Sequence, residues 1–312
     1  MSKQSSKESD RDAMADSPTR PTDVVKFSII TLVYNRKEDL ERTARSVTSQ
    51  RDASVEWIVI DGGSTDGSLD VIDAYCESIA YWQSEKDDGI YDAMNKGLAR
   101  ATGDYVLFLN SGDYFITDDS LRMVAQSVVQ VEQLPGMILV GAAYKFPHGH
   151  DMTQMPRRIE DHIYHSTPIT HQAVFFNRRI HQQHPYDTRY RNAGDYECMC
   201  QFFLRGETRR YIDTALVFSM RGGDSITQNH PWRHAREAAR IQREVLGMGY
   251  GSILRSFVRR HMVHIATELM AHRHLAPVTW RVIEAVRPSV DRGLFVPSGR
   301  RSTTKSSQSQ HR

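Results

Sequence analysis

Glu85-Lys-Asp-Asp-Gly-Ile-Tyr-Asp-Ala-Met-Asn-Lys-Gly-Leu-Ala-Arg-Ala-Thr-Gly-Asp-Tyr-Val-Leu-Phe-Leu-Asn-Ser-Gly-Asp113 reads as a loop, a helix, a tight turn and a strand. The strand, Tyr105 to Leu109, is apolar throughout, the pattern of a strand covered on both faces. At its carboxyl end the character flips to Asn110, Ser111, Gly112 and Asp113. Ligands of open α/β sheets sit outside the carboxyl ends of the strands. A polar, oxygen-rich tip on an apolar strand is therefore a candidate site for a cation and the phosphates it carries.

Working toward the amino end, Phe27 to Val33 is a β-rich apolar run closed by Tyr34, Asn35 and Arg36. Glu38 to Gln50 carries Leu40, Ala44 and Val47 at helical spacing. Val55 to Ile60 is a second buried strand, ending in Asp61-Gly-Gly-Ser-Thr-Asp-Gly-Ser68. A helix over Leu69 to Cys76 follows, with Asp66 or Ser68 placed to cap it, then a short strand from Ile79 to Gln83. This alternation predicts an α/β fold with a mostly parallel, right-handed sheet. Past Asp118 the spacing predicts a helix over Leu121 to Glu132 and strands over Gly136 to Tyr144, Thr170 to Phe176 and Arg209 to Ser219. Lys145 to Thr167 reads as loop, and Ala193 to Leu204 as a helix led by Asp195. Helices are expected over Arg233 to Leu246, Ser252 to Ala271 and Val278 to Val286.

The 312 residues suffice for one large domain or a domain with an appendage. The boundaries expected are a disordered tail over 1–24, a catalytic domain over 25–230, a basic helical extension over 231–297 and a disordered tail over 298–312. A formal charge of +2 conceals an asymmetry: from Arg233 onward 15 Lys/Arg face 5 Asp/Glu, whereas the first 232 residues hold 25 against 33. An acidic front suits a metal-using domain, and a basic tail suits either an anionic surface or a solvated helical face. Cys76, Cys198 and Cys200 make neither a disulfide framework nor a zinc site and read as reduced thiols. The first 21 residues lack the apolar core of a signal peptide, and no run approaches the ~20 apolar residues of a membrane span. The expected location is the cytoplasm.

Asp61, at the end of the second strand, can accept a hydrogen bond from a ribose or a base N–H, and Gly62-Gly63 lets the backbone approach a ligand. A helix-capping turn would account for that tip alone. Thr31 to Asn35 close the first strand and Asn110 to Asp113 the fourth, so three polar tips converge along one edge. Packing does not require that convergence.

These segments together resemble family 2 glycosyltransferases of the GT-A fold: Phe27-Ser-Ile-Ile-Thr-Leu-Val-Tyr-Asn-Arg36, Trp57-Ile-Val-Ile-Asp-Gly-Gly-Ser-Thr-Asp-Gly-Ser68, Gly89-Ile-Tyr-Asp-Ala-Met-Asn-Lys-Gly97 and Gly103-Asp-Tyr-Val-Leu-Phe-Leu-Asn-Ser-Gly-Asp113. The likeness covers roughly the first 225 residues and is greatest to the branch of bacterial exopolysaccharide and colanic-acid-type assembly. It implies a GT-A, Rossmann-like mixed sheet, mostly parallel and flanked by helices, with a C-terminal helical extension. It further implies that Thr31, Val33 and Asn35 line a nucleotide pocket and that Asp61 bonds the base of a nucleotide-sugar. Asp92 and Asn95 would approach the sugar-phosphate side. Asn110 to Asp113 stands where the family has its Asp-x-Asp metal motif, with Asn110 in place of the first carboxylate and Gly112 in place of the second. Asp113 is then the one anion left for Mg²⁺ or Mn²⁺, which also takes diphosphate oxygens and water.

A departing nucleoside diphosphate needs its charge neutralised, and the acceptor hydroxyl needs a base. The resemblance makes Asp195 that base, although a capping role would also explain an Asp after Gly194. Glu197 ranks second. His171, with Gln172, matches the family near the acceptor cleft, where it would touch donor sugar or acceptor; a core histidine fits the position equally. Gly222-Gly223 and Ser225 resemble a segment closing over the donor. His230 is a further candidate metal ligand, with a surface histidine the simpler reading. His148/His150, His162/His165 and His181/His184 lack partners at ligand spacing and read as polar loops.

The C-terminal helices set Leu254, Phe257, Val258, Met262, Ile265 and Leu269 along one side and add Arg255, Arg259, Arg260 and Arg273. That pattern serves packing on the catalytic domain or contact with an anionic membrane. The expected function is metal-dependent, inverting transfer of a sugar from a nucleotide-sugar, a UDP-sugar foremost, to a hydroxyl of a glycan or polyprenyl-linked glycan in cell-surface polysaccharide synthesis. The alternatives are a nucleotide-sugar-binding scaffold, suggested by the reduced metal motif, and a sugar-phosphate nucleotidylyltransferase. The latter requires a Gly-rich basic loop where this chain has Tyr34-Asn-Arg-Lys-Glu38. No nucleic-acid partner is expected.

Overall fold

The centre of the sheet is β1 (Lys26–Val33), whose residues from Phe27 to Val33 are all buried. It pairs in parallel with β2 (Ser54–Asp61) on one side and β4 (Tyr105–Phe108) on the other, and β3 (Ile79–Ser84) pairs in parallel with β2. The computed structural model describes residues 25–129, 131, 133–145, 151–220, 230–258 and 296–297. Register brings Val33, Asp61 and Ser84 level at the carboxyl edge. Backbone bonds from Leu109 N–H to Ile30 O and from Ser111 N–H to Leu32 O carry the β4 ladder past its last strand residue. The polar tip after Leu109 is thereby fastened to the same edge.

Beyond β4 the sheet changes direction. β8 (Val174–Asn177) is antiparallel to β4, β6 (Met137–Lys145) is antiparallel to β8, and β7 (Asp151–Gln154) is antiparallel to β6, with β10 (Val296–Pro297) outside it. β9 (Arg209–Met220) runs parallel to β6 and pairs antiparallel with β5 (Tyr114–Phe115). This last pairing returns the end of β9 to Asp113. The result is the expected mixed sheet, parallel in its amino-terminal half.

Helices cover it as the apolar spacing requires. α1 (Lys37–Thr48) buries Leu40, Thr43, Ala44 and Val47, and α2 (Ser68–Ala74) buries Val71 and Ile72. α3 (Ile90–Arg100) approaches the sheet so closely that a Cβ on Gly97 would stand 2.5 Å from Ile30 Cγ2. At the opposite edge from the polar tips, buried Glu56 accepts from Ser28 Oγ at 2.5 Å, Thr102 N at 2.7 Å, Thr102 Oγ1 at 2.5 Å and Lys26 Nζ at 3.2 Å. One carboxylate thus ties β1, β2 and the turn after α3 together. α7 (Gly194–Leu204) and α8 (Pro231–Glu244) pack beside the antiparallel half.

Several local expectations need correction. α4 (Ser120–Gln126) is shorter than Leu121 to Glu132 because Val128, which extends the apolar spacing, is buried from the following turn. Lys145 to Thr167 contains β7 and a short helix, α5 (Ile159–His162), since β6 supplies hydrogen-bond partners that local composition does not announce. His171 and Gln172 lie on a 3₁₀ turn, His171–Ala173, rather than on a strand. β5 and α6 (Arg178–Gln183) were not anticipated; Asn177 caps α6 by accepting from Ile180 N at 3.4 Å. The N-cap of α2 is Gly67 at φ 92°, with Asp66 Oδ1 accepting from Ser68 N at 3.0 Å. Helical structure continues over 250–258. The expected tails, Arg221 to Ser225, His148, His150, residues 259–295 and with them the helix over Val278 to Val286 lie outside the described residues. No helix among the described residues is long and apolar enough to cross a membrane.

Candidate active site at the carboxyl edge of the parallel strands

Asp61 has no solvent exposure. Its Oδ2 accepts from Gly63 N at 3.0 Å, Ser64 N at 2.9 Å and Ser84 Oγ at 2.6 Å. Its Oδ1 is buried with no protein donor. Leaving a buried acceptor unpaired costs on the order of 1–3 kcal/mol, and a ligand N–H would relieve that cost. Asn35, at φ 50°, laces the first tip to the second: its N–H donates to Ser64 Oγ at 2.8 Å and its Oδ1 accepts from Thr65 N at 2.8 Å. Val33 O accepts from Gly62 N at 2.9 Å. Thr31 corrects the expectation for this tip, since it is fully buried and its hydroxyl accepts from Trp57 Nε1 at 3.0 Å, a packing role.

The loop before α3 folds against Gly62, where an added Cβ would lie 3.2 Å from Asp87 Oδ2. Lys96 Nζ gathers Glu85, Asp87 and Asp92 at 2.9, 2.8 and 3.2 Å. Asp92 and Asn95, expected to approach a sugar phosphate, also bond within the protein. Asp92 accepts from Asp88 N at 3.0 Å, which ties the loop to α3. Asn95 exchanges two hydrogen bonds of 2.9 Å with the backbone of Tyr186.

The fourth tip is clamped by α1. Thr43 Oγ1 accepts from Gly112 N at 2.9 Å and donates to Asp113 O at 2.7 Å, while Gly112 adopts φ 97°. Asp113, 3% exposed, accepts from Met220 N at 2.8 Å. Burial pushes its carboxyl up to about 6, opposed by the Met220 N–H, the His171 ring and the Gln172 side chain.

His171 joins this tip to α7. Its Nε2 lies 3.4 Å from Asn110 Nδ2, and its Nδ1 lies 3.5 Å from Asp195 Oδ2. With the Asn110 amide donating, Nε2 is the acceptor and the imidazole proton sits on Nδ1, facing the carboxylate. Asp195 Oδ1 also accepts from Tyr91 OH at 3.3 Å and Tyr196 N at 2.9 Å. Burial raises the Asp195 carboxyl, but the hydrogen bond from His171 leads the interactions that outweigh it and hold the group below the ordinary Asp range. Asp195 is the second residue of α7 and the N-cap is Ala193, so capping does not explain it. Its neighbour Gly194 has a plain reason to be glycine: a Cβ there would meet the Tyr91 ring at 2.9 Å.

Glu197 faces elsewhere. It accepts from Gln201 Nε2 at 2.8 Å, and its charged neighbours are Asp187, Arg189 and Arg205. His230 is exposed, and its carbonyl accepts from Asn192 Nδ2 at 3.4 Å. Among the described residues, no three His, Cys, Asp or Glu side chains converge as a metal site. Asp113 and the buried, unpartnered Oδ1 of Asn110 nonetheless suit a hard cation that draws its remaining ligands from a diphosphate and water. Surface cavities of about 470 Å³ along α1 and about 490 Å³ beside Tyr164 and Met248 are lined by none of Asp61, Asp113 and Asp195. The candidate site is marked by its convergent polar atoms instead.

Sequence reasoning named Asp61, Asn110, Asp113, His171 and Asp195; register and backbone bonds set Asp61 and the Asn110–Asp113 tip on one sheet edge, and His171 bridges Asn110 to Asp195. Sequence reasoning missed Ser84, Asp87, Tyr91 and Lys96. Tyr91 and Lys96 stand in the very motif quoted for the third segment, so their position was visible while their partners were not.

A model of glycosyl transferase family 2 matches residues 28–224. An uncharacterized glycosyltransferase of Mycobacterium tuberculosis is 37% identical over 166 residues, covering 51% of this chain and 61% of its own length. The alignment thus spans about three fifths of that relative. Among solved structures, S. aureus TarS 1–349 in complex with UDP-GlcNAc superposes with TM-score 0.58 at 17% identity, covering 86% of this chain and 92% of that one. The Pyrobaculum calidifontis mannosyltransferase in complex with GDP-Man and Mn²⁺ gives 0.55 at 18% identity, covering 84% and 74%.

Proposed function

The chain belongs to glycosyltransferase family 2 and carries the family's GT-A fold, and on that premise we propose an inverting transfer with Asp195 as base. The donor is a nucleotide-sugar, with a UDP-sugar favoured, and the acceptor is a hydroxyl of a glycan or polyprenyl-linked glycan in cell-surface polysaccharide synthesis. The observation that carries this reading is Asp195 itself, a carboxylate held below the ordinary Asp range by its bond from His171, with Tyr91 on its other oxygen, beside the Asn110–Asp113 tip.

In the proposed step the acceptor oxygen attacks the anomeric carbon. Its proton passes to Asp195, and the bond to the diphosphate oxygen breaks with its electron pair leaving on the nucleoside diphosphate. His171 keeps its Nδ1 proton on Asp195 and so orients the carboxylate. The unpaired Oδ1 of Asp61 supports a base N–H as its partner. Asp113 and Asn110 would hold Mg²⁺ or Mn²⁺, which when bound neutralises charge on the leaving diphosphate. Structural neighbours have been solved with UDP-GlcNAc and with GDP-Man and Mn²⁺, which supports a divalent cation and leaves the base to experiment.

We assign catalysis to residues 25–230, with the helical extension beyond as an appendage at the cytoplasmic face of a membrane. Exposed Trp232, Tyr250, Leu254 and Val258 beside Arg233, Arg236, Arg240 and Arg243 support that contact. Sedimentation with anionic but not neutral vesicles is the expected result, and equal recovery with both refutes it.

The deciding experiment measures nucleoside diphosphate release from a panel of UDP- and GDP-sugars with Mn²⁺. Release by the wild type, abolished in Asp195→Asn, with a UDP-induced thermal shift lost in Asp61→Ala, is expected. Turnover surviving Asp195→Asn would remove the base assignment, and an unchanged UDP shift in Asp61→Ala would remove the pocket.

A further inference from the structure

α8 lies beyond the family-matched segment, yet one of its side chains reaches the backbone that carries Asp195. The Glu237 carboxylate accepts from three consecutive backbone N–H groups: Arg191 at 3.1 Å to both oxygens, Asn192 at 2.8 Å and Ala193 at 3.0 Å. Three amides converging on one anion make a concave site of the kind that binds free anions, here filled by the protein's own carboxylate. Ala193 is the N-cap of α7 and has no side chain with which to cap it. Glu237 therefore places a negative charge at that terminus from another helix, where it also favours the α7 dipole.

The same backbone is held from further sides. Asn192 O lies 3.1 Å from His234 Nδ1, and Asn192 Nδ2 donates to His230 O at 3.4 Å. The Arg191 guanidinium bonds Asp88 Oδ1 at 3.2 Å and Asp88 Oδ2 at 3.3 Å. It also fills the space over Gly89, where a Cβ would stand 2.8 Å from Arg191 Nη1 at φ 96°. Residues 191–193 are thus a joint between α8, the loop before α3 that leads to Tyr91, and the first turn of α7. Asp195 follows two residues later.

We propose that Glu237 is a positioning residue for Asp195, holding residues 191–193 so that the carboxylate meets His171 and Tyr91. This rests on Asp195 being the base. Misplacement of a reacting group by about 1 Å can cost on the order of 100-fold in rate, and a single anion gathering three amides is a point where such slack would enter.

The test compares the full-length wild type with Glu237→Gln, which keeps the volume and one acceptor oxygen, and with Glu237→Ala. Hydrogen exchange by mass spectrometry needs no donor. Faster exchange confined to amides 191–196, with the strands over 27–33 and 54–61 as protected as in wild type, is expected in both variants. Unchanged exchange at 191–196, or a uniform loss across the fold, overturns the proposal.

Kinetics supply the second readout, as nucleoside diphosphate release across the same donor panel. A 10- to 100-fold lower kcat is expected, with donor KM and the UDP thermal shift within about twofold, because the Asp61 tip is separate. The acid limb of the kcat profile should move up, as Asp195 loses part of its His171 contact. A raised donor KM with kcat intact would make Glu237 a donor-site element and refute positioning. Full turnover in Asp195→Asn would instead sink the base assignment, a failure distinguishable from this one.

Discussion

At the scale of single residues, the site is a set of commitments around one imidazole. His171 stands between Asn110 and Asp195, and Tyr91 holds the other oxygen of that carboxylate. The Tyr91 ring cannot yield easily, because it packs on Tyr186 at 5.3 Å, which in turn packs on Phe108 and His181. Gly194→Ala should therefore overpack this wall, costing about 1–3 kcal/mol and at least tenfold in turnover while UDP still binds. Urea denaturation and nucleoside diphosphate release check it; wild-type stability and rate together would contradict the packing described. The residue types were legible in the chain, since a polar strand tip and an Asp after a Gly stand out. Thr31, Asp92 and Asn95 were not legible, because whether a side chain faces a ligand or a neighbour depends on elements far away in sequence.

At the scale of elements, α3 links the fold to the site. Its first turn carries Tyr91 and its middle Lys96, while Gly97 seats it so closely on the sheet that an added Cβ would stand 2.5 Å from Ile30 Cγ2 and 3.4 Å from Ile60 Cγ1. Ala in place of a helical Gly is worth about 0.5–1 kcal/mol in propensity, but the added methyl has no room, and overpacking costs about 1–3 kcal/mol. Gly97→Ala should thus lower the denaturation midpoint at an unchanged m-value. A raised midpoint would show that α3 can lift from the sheet. Elements with sustained periodicity, such as α1, β1, β2, α3 and α7, were readable from spacing alone. β5 and β7 were not, because short strands exist only through the partners that pair with them.

At the scale of the whole molecule, two buried groups outside the polar tips make stability depend on pH. Glu56 feels burial, which raises it, but the bonds from Ser28, Thr102 and Lys26 prevail and lower it to about 2 from 4.5. Its contribution is complete above pH 4.5 and is lost as pH falls toward 2. His181, sealed among Phe108, Phe176, Tyr186 and Phe202, is lowered by burial to about 4 from 6.5. The fold holds it neutral, so its contribution is complete above pH 6.5 and is lost as pH falls toward 4. Each is worth at most about 3 kcal/mol. Urea denaturation should find Glu56→Gln weaker than wild type at pH 7, with the gap closing below pH 4.5. His181→Phe should flatten the decline between pH 6.5 and 4. Parallel curves for wild type and both variants would contradict these assignments.

The order of apolar strands, spaced helices and polar tips determined the sheet, its parallel half and the edge that carries Asp61 and the Asn110–Asp113 tip, because periodicity and strand-end chemistry are local properties. Tertiary structure alone decided what each of those groups touches. The antiparallel return of β9 to Asp113, the seat of His171 on a 3₁₀ turn and the reach of Glu237 into the backbone before α7 join residues 46 to 107 positions apart. Contacts at that separation are selected by the packing of the whole chain, and no short window of sequence encodes them.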